Sequence, residues 1–277
     1  MKVLIAGCGY VGSSLATMLV RGGDEVTTLR RSEKRTPGAK LVRADLAELT
    51  ALRAALAGLR FDAVVYSASP GGRSDEAYRR AYVDGLRNIL ATNATPKIIL
   101  VGSSGVQERG GGAWVDETTP ITPNGFVAQR LLEAEALVRR RGGTTLRLAG
   151  IYGPGRERLI DNVATGSAKI PETPIYTNRV HRDDAAGMLA HLLRHESRQD
   201  LYFGCDLEAA PYADVLRFIA SELKVAPPET GEATRRSNKR IRSARIVRTG
   251  FRHLYPTYRE GYRAIIQARK SASTTRP

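Results

Sequence analysis

Short apolar runs alternate with longer amphipathic stretches along the first half of the chain. "KVLIAG" is apolar on consecutive positions, as in a strand buried on both faces, and "VGSSLATMLVRGG" carries helical periodicity before ending on glycines. The same alternation predicts strands in "EVTTLR", "AKLVRADL", "FDAVVYSAS", "KIILVGSS" and "TTLRLAGIYG". It predicts helices through "LTALRAALAGL", from about Asp75 to Thr92, and through "LEAEALVRRRGG". Strands separated by helices of this length imply parallel βαβ units with right-handed crossovers. The expected fold is therefore α/β, a doubly wound parallel sheet of the Rossmann type, with ligands at the carboxyl ends of its strands. Beyond Gly155 the pattern loosens. Helices are expected in "LIDNVATGSA", "RDDAAGMLAHLLRH" and "PYADVLRFIASEL", strands in "IYTNRV" and "LYFGCD", and a loop in "VAPPETGEATRRSNKR". The expected division is a dinucleotide-binding core of residues 1–155 and 176–204, and a smaller C-terminal substrate lobe of 156–175 and 205–277. The tail "SASTTRP" is expected to be disordered.

Composition narrows this picture. The chain has 277 residues, of which 42% are hydrophobic, as in an ordinary globular protein. No apolar run approaches the roughly 20 residues of a membrane span. "MKVLIAGCGY" breaks into glycines without a cleavage pattern, so a cytoplasmic location is expected. Cys8 and Cys205 form neither a disulfide framework nor a metal site. His191 and His195 lack further ligands, so no metal is expected. The net charge of +15 raises three partner classes, a nucleic acid, an anionic membrane or an anionic small molecule, beside a plain solvated basic surface. The dense run lies at Arg235 to Arg252, without an acidic residue. A nucleic-acid partner ranks last, because that run lacks the aromatic interleaving of a nucleic-acid motif.

"GCGYVG" places Gly7, Gly9 and Gly12 around Tyr10 and Val11, between a predicted strand and a predicted helix. That context makes GxGxxG a dinucleotide cradle: one glycine for the turn, one for approach of the pyrophosphate, one for helix–sheet packing. The second strand should end on an acidic residue if the ribose 2′-hydroxyl is read, but Leu29, Arg30 and Arg31 stand there. A guanidinium suits a 2′-phosphate, so NADP is the expected cofactor and NAD the second choice. Asp45, with Leu46 beside it, is placed either to reach the adenine or to cap the next helix. Ser67, Ala68 and Ser69 should lie along the cofactor.

These stretches, with "YVDGLRNIL", "IILVGSSGV", "DETTPITP", "LRLAGIYGPGR" and "RVHRDDAA", run in the order of the extended short-chain dehydrogenases. The chain resembles an atypical member of the NAD-dependent epimerase/dehydratase family. The resemblance implies hydride transfer at a hydroxyl-bearing carbon. It also implies a tyrosine with lowered pKa beside a lysine as proton donor, and a serine after the fifth strand. Ser103 or Ser104 fills the serine position, with Ser103 favoured by register. No Tyr-x-x-x-Lys exists in the chain. Counting from Pro123 or from Glu135 puts Val127 and Leu131 at those positions, and a slide of one residue puts Phe126 and Arg130 there. Both registers remain open.

Other candidates are Tyr152 as a replacement proton donor and Arg156 for an anionic substrate; Phe126 and Arg130 would also border the substrate. Asp183 and Asp184 are expected to charge a helix start. Asn238, Lys239 and Arg242 are candidates for a phosphate or carboxylate. The leading expectation is an NADP-binding oxidoreductase or epimerase-type enzyme acting on a small, polar, anionic molecule. The alternative is a non-redox isomerase, a cyclase or a cofactor sensor on the same fold. A homodimer through paired helices is a further expectation from the resemblance.

Overall fold

A computed structural model describes residues 1–92, 97–107, 110–196, 198–232 and 237–274. The chain runs through β1 (Lys2–Ala6), α1 (Tyr10–Arg21), β2 (Glu25–Arg30), β3 (Lys40–Arg43), α2 (Leu49–Leu56) and β4 (Ala63–Tyr66). Then follow α3 (Asp75–Tyr78), a π-helical turn (Arg79–Asp84), α4 (Gly85–Thr92), β5 (Lys97–Ser103), a short 3-10 turn (Ser104–Val106), β6 (Ala113–Val115) and α5 (Gly125–Arg140). The remainder is β7 (Thr144–Leu148), β8 (Gly150–Tyr152), α6 (Arg158–Ala164), β9 (Tyr176–Thr177), β10 (Arg179–His181), α7 (Arg182–Arg194) and β11 (Leu201–Gly204). It closes with β12 (Ala210–Pro211), α8 (Tyr212–Leu223), β13 (Lys239–Ile241), α9 (Ala244–Arg248) and α10 (Tyr258–Thr274).

Two compact units result. The first comprises residues 1–107, 121–148 and 185–202. Its strands belong to a seven-stranded sheet of order β11-β7-β5-β4-β1-β2-β3. The pairings β1–β2, β1–β4, β2–β3, β4–β5 and β5–β7 are all parallel. The order reverses between β1 and β4, the switch point at which doubly wound sheets bind ligands. Val3, Leu4, Ile5 and Ala6 are fully buried, as are Val65 and Tyr66. This accounts for the unbroken apolar runs of the sequence: both faces of the strands are covered by helices.

The helix expected over 75–92 forms but carries a π turn. The Tyr66 hydroxyl donates to the Ala81 carbonyl at 2.5 Å. This supplies a partner to a carbonyl in a segment where the i→i+4 ladder is interrupted. The hydroxyl lies so close that a Cβ on Gly85 would meet it at 2.5 Å, so glycine is what lets the bulged helix rest on β4.

The second unit comprises residues 108–120, 149–184 and 203–277. Residues 149–155 and 176–184, expected with the dinucleotide core, belong here. The reason is local pairing: β8 and β10 form their own parallel pair, from Arg179↔Gly150 to His181↔Tyr152. Residues 110–120 join it through β6, which pairs with β13. The core of this unit gathers Ile160, Val163, Val215, Leu216, Ile219, Tyr258, Ile265 and Ile266 from α6, α8 and α10. α10 continues through Thr274, which corrects the expectation of disorder from Ser271. Its first nine residues carry the apolar face that anchors it, through Tyr258, Tyr262, Ile265 and Ile266. Residues 275–277, and residues 233–236 of the expected loop, lie outside the described residues.

Candidate functional site

The glycine turn separates the three roles of its glycines by geometry. Gly7 has φ +84°, and a Cβ there would stand 2.4 Å from the Ala68 nitrogen. This is the tight turn, pressed against the end of β4. Gly12 packs on the sheet, with a Cβ meeting Ile5 Cγ2 at 3.1 Å. Gly9 differs from both: a Cβ there would meet nothing within 4 Å. Open space stands where the second glycine of the motif admits a pyrophosphate. α1 begins at the next residue without a side-chain cap hydrogen bond and with no acidic residue in its first turn. Its N-terminal dipole therefore faces this space without an internal carboxylate to neutralise it. The turn is pinned from below by the Gly7 and Cys8 amides donating to the Leu29 carbonyl at 2.9 and 3.2 Å.

Arg30, at the end of β2, lies beside the same helix start. Its Nη2 donates to Ser13 Oγ at 2.8 Å and its Nη1 to the Lys34 carbonyl at 3.1 Å. These bonds hold the guanidinium at the edge of the turn. Ser13 holds Arg30 in place, and its position directly after the last glycine of the motif is the signal for it in the sequence. Arg31 is exposed, and its Nη2 reaches within 4.0 Å of the position of a Cβ on Gly71, in the segment after β4.

Asp45 follows β3. It accepts from the Ala47 amide at 2.9 Å and from Arg80 Nη2 at 3.1 Å. Burial pushes its carboxyl up, but the Ala47 amide and the Arg80 guanidinium outweigh it and hold the pKa below the usual value. Leu46 is half-buried, and its carbonyl accepts from Asn88 Nδ2 at 3.0 Å. Ser67 and Ala68 line the closed side of the turn, and Ser69 is exposed. Tyr10 is half-buried and Val11 buried at the start of α1.

Ser103 ends β5, and its Oγ accepts from the Gly105 amide at 3.1 Å. That bond uses a lone pair and leaves the hydroxyl proton available to a ligand oxygen. Ser104 is buried at 9% exposure and opens the 3-10 turn.

The α5 face is fixed by Glu135. Its carboxylate takes two bonds from Arg147 of β7, at 2.8 and 2.6 Å. Gly102 passes close to it, since a Cβ there would lie 3.4 Å from Glu135 Oε1. One turn before Glu135 on that face is Leu131, buried, and one turn further is Val127, at 36% exposure. Phe126 and Arg130 look elsewhere. Phe126 packs edge-on against Tyr78 at 5.6 Å. Arg130 grips Asp75 with two bonds, at 2.7 and 2.9 Å, and Glu133 with a third at 3.1 Å. The expectation that Arg130 borders a substrate is corrected on this ground: its guanidinium is already committed to two carboxylates.

The second unit holds Tyr152 and Arg156. Tyr152 is 5% exposed, stacked on Tyr262 at 4.5 Å and edge-on to His181 at 5.3 Å. Burial drives its hydroxyl pKa far above the ordinary phenol value. A group so enclosed cannot exchange a substrate proton, which corrects its reading as a replacement donor. His181 is likewise enclosed, its pKa lowered by burial to about 4, and it is neutral. Arg156 lines a hollow of about 710 Å³ with Ile151, Gly155, Glu157, Arg158 and Asp161. Asp184 accepts from the Leu254 and Tyr255 amides at 2.6 and 3.0 Å. Asp183 and Asp184 both stand in the first turn of α7, as expected, and Asp184 also ties down the segment before α10.

The family model for the NAD dependent epimerase/dehydratase family matches residues 3–202. The chain belongs to that family. Among solved structures, this epimerase/dehydratase-family chain is similar to a protein from Methylobacillus flagellatus that carries a provisional NAD-dependent epimerase/dehydratase designation. The two are 37% identical over 97% of this chain and 98% of that one, with a TM-score of 0.84. A functionally unknown conserved protein from Silicibacter pomeroyi is 24% identical over 97% and 99%, with a TM-score of 0.75. UDP-glucose 4-epimerase from Thermus thermophilus, solved with NAD, shares the fold at 20% identity over 98% and 100%, with a TM-score of 0.80. No curated protein matches. Among the described residues no helix is long and apolar enough to cross a membrane, and no group of three or more His, Cys, Asp or Glu converges on a metal position.

Proposed function

We propose that the protein is an NADP-binding oxidoreductase or epimerase-type enzyme acting on a small, polar, anionic substrate, without the tyrosine–lysine pair. The observation that carries the cofactor reading is the open space at Gly9, facing an uncapped helix start with Arg30 at its edge. Such a turn receives a diphosphate on backbone N–H groups. A guanidinium at the end of β2, where an acidic residue would read a 2′-hydroxyl, favours a 2′-phosphate. Bound there, the dinucleotide supplies hydride chemistry, and the chain's own part is to orient it and the substrate. Ser103 donates a hydrogen bond to the substrate oxygen and fixes it in place, and the proton that balances the hydride at that oxygen is exchanged with water. Positioning of this kind lowers the barrier even where no side chain exchanges a proton.

The Glu135 face supports Val127 and Leu131 as the positions of the missing pair. An apolar pair at those positions favours a second reading, in which the bound dinucleotide does not turn over and the site isomerises or senses.

Titration with NADPH and with NADH, followed by nucleotide fluorescence, tests the cofactor. The proposal requires NADPH to bind more tightly. Arg30→Asp should invert that preference, and unchanged discrimination would remove Arg30 as the reader. NADPH oxidation in the presence of carbonyl substrates then separates the enzyme from the non-redox reading.

A further inference from the structure

The segment 251–257, between α9 and α10, is held down at several points within the second unit. The Leu254 and Tyr255 amides donate to the two oxygens of Asp184 at 2.6 and 3.0 Å. His253 Nε2 donates to the Cys205 carbonyl at 2.9 Å, and the Leu207 amide donates to the Pro256 carbonyl at 2.8 Å. The Tyr255 ring lies against His181, with centroids 4.0 Å apart. Just beyond, at the start of α10, Arg259 pairs with Glu208. Three of these ties end on Cys205, Leu207 and Glu208, the residues that flank Asp206.

Asp206 itself is 3% exposed, and its amide donates to the Arg179 carbonyl at 2.8 Å. Neither of its carboxyl oxygens has a hydrogen-bond partner among the described residues. Arg179, buried on β10, spends Nη2 on Thr177 Oγ1 at 2.8 Å and leaves Nη1 without an acceptor. The groups that face the Asp206 carboxyl are Arg179 from β10, Tyr152 from β8, Tyr262 from α10 and Asp184 from α7, with Glu208 and the Cys205 thiol from its own stretch. The segment 251–257 further meets Asp183 and Arg182 of α7 through Tyr255, and brings its own His253 to Asp184. One guanidinium thus stands against two other carboxyl groups and a dry environment. Burial prevails, and the Asp206 carboxyl is pushed up to about 8.

We propose that the segment 251–257 is a proton-gated strap, which lies closed over a neutral Asp206 and is released, with the start of α10, when Asp206 ionises. A carboxylate buried without hydrogen bonds is among the costliest groups a fold can hold. Water is the relief open to it, and the ties on either side of Asp206 are the bonds that part to admit water. The direction follows from the two states. In the released strap Asp206 titrates as a solvated carboxyl, at about 4. In the closed strap it titrates at about 8. Opening is therefore coupled to loss of one proton between these values. Its equilibrium constant rises by up to about tenfold per pH unit in that window and levels off above it. Every group involved belongs to one unit, so the proposal stands whether or not NADP binds.

Hydrogen exchange of the full chain, without nucleotide and corrected for the intrinsic pH dependence of amide exchange, reads the opening at the Leu207, Leu254 and Tyr255 amides. Their protection should fall by up to about tenfold per pH unit as pH rises toward 8, and then level off. Dilute urea should leave it unchanged, since a local opening exposes little surface. The amides of β1 should remain better protected and should respond to urea. Asp206→Asn and Asp206→Ser are neutral at every pH and should hold the protection of the strap constant. Two substitutions of different size guard against one that misfolds. Four results would each overturn the proposal: protection of the strap that ignores pH, protection that rises with pH as the carboxylate closes onto Arg179, strap amides that exchange only together with β1, or a pH dependence that survives in the folded Asp206 variants and so belongs to His253.

Discussion

Replacing each glycine of the turn by alanine separates fold from cofactor. At Gly7 the substitution places a Cβ 2.4 Å from the Ala68 nitrogen, on a backbone with φ +84°. The left-handed conformation alone costs an L-residue about 1–2 kcal/mol, and forcing the contact adds about 1–3 kcal/mol. Together these take a large share of a domain stability of about 5–15 kcal/mol. At Gly9 φ is −87° and a Cβ meets nothing within 4 Å. The apo protein should lose at most about 1 kcal/mol, the difference between glycine and alanine at a helix N-cap. The same methyl group occupies the space through which a pyrophosphate approaches the first amides of α1, so NADPH affinity should fall at least about tenfold, or 1.4 kcal/mol. Urea unfolding without nucleotide gives the first quantity, and NADPH fluorescence titration gives the second. The two variants should fall at opposite corners: Gly7→Ala unstable, Gly9→Ala stable but weak in binding. A Gly9→Ala protein that binds NADPH like the wild type would refute the cradle. One that unfolds as readily as Gly7→Ala would show that the space is not open.

Other consequences can be checked in stability alone. Arg147→Met leaves the Glu135 carboxylate buried without its two bonds, and should cost about 3–5 kcal/mol by denaturant titration. Gly261→Ala places a Cβ 1.9 Å from the Tyr152 hydroxyl oxygen. It should cost about 2 kcal/mol or more, in part relieved when Tyr152→Phe is added, as a double-mutant cycle would show. Asp206 is pushed up to about 8 by burial, against the weaker pull of the Arg179 guanidinium and the Glu208 amide. Its folded pKa lies above its unfolded value, so the folded chain holds a proton that the unfolded chain releases. This contribution is full below about pH 4 and is lost as pH rises toward 8. Stability should therefore decline by about 1 kcal/mol per pH unit between those limits, and Asp206→Asn should flatten that slope. A slope unchanged by the substitution would assign the titration to another group.

Much of the first unit was legible because its determinants are local. The glycine turn, the buried runs of β1 and β4, and the arginine that ends β2 are each written in a few consecutive residues. The partition of the chain was not legible, because it depends on pairings between distant segments. Nothing in "GGAWVDE" says that Trp114 will meet Arg240, 126 positions away. The π turn is not legible either, since the hydroxyl that bonds within it, that of Tyr66, comes from a strand rather than from the helix that bulges. Tyr152 was misread because the loop motif specifies its backbone, while its burial is decided by Gly261 and Tyr262 near the end of the chain.

The two registers for the missing pair use different faces of α5. Counting along "NGFVAQRLLEAE" allows two answers, but only one face of α5 carries the carboxylate that Arg147 grips. If the pair belongs on that face, Leu131 stands at the position where the resemblance expects an ammonium. In that register a bound dinucleotide would have one cation fewer to hold it, and its retention would rest more heavily on the turn and on Arg30. Arg30→Asp should then lower affinity for both nucleotides while it shifts preference toward NADH. A simple exchange of preference at constant total affinity would mean that a cation still stands near the ribose, and that the register with Arg130 at that position deserves to be restored. The Asp75 pair gives the means of deciding. Asp75→Asn removes one of the two carboxylates that hold Arg130, and should leave NADPH affinity unchanged if Arg130 faces away from the ribose.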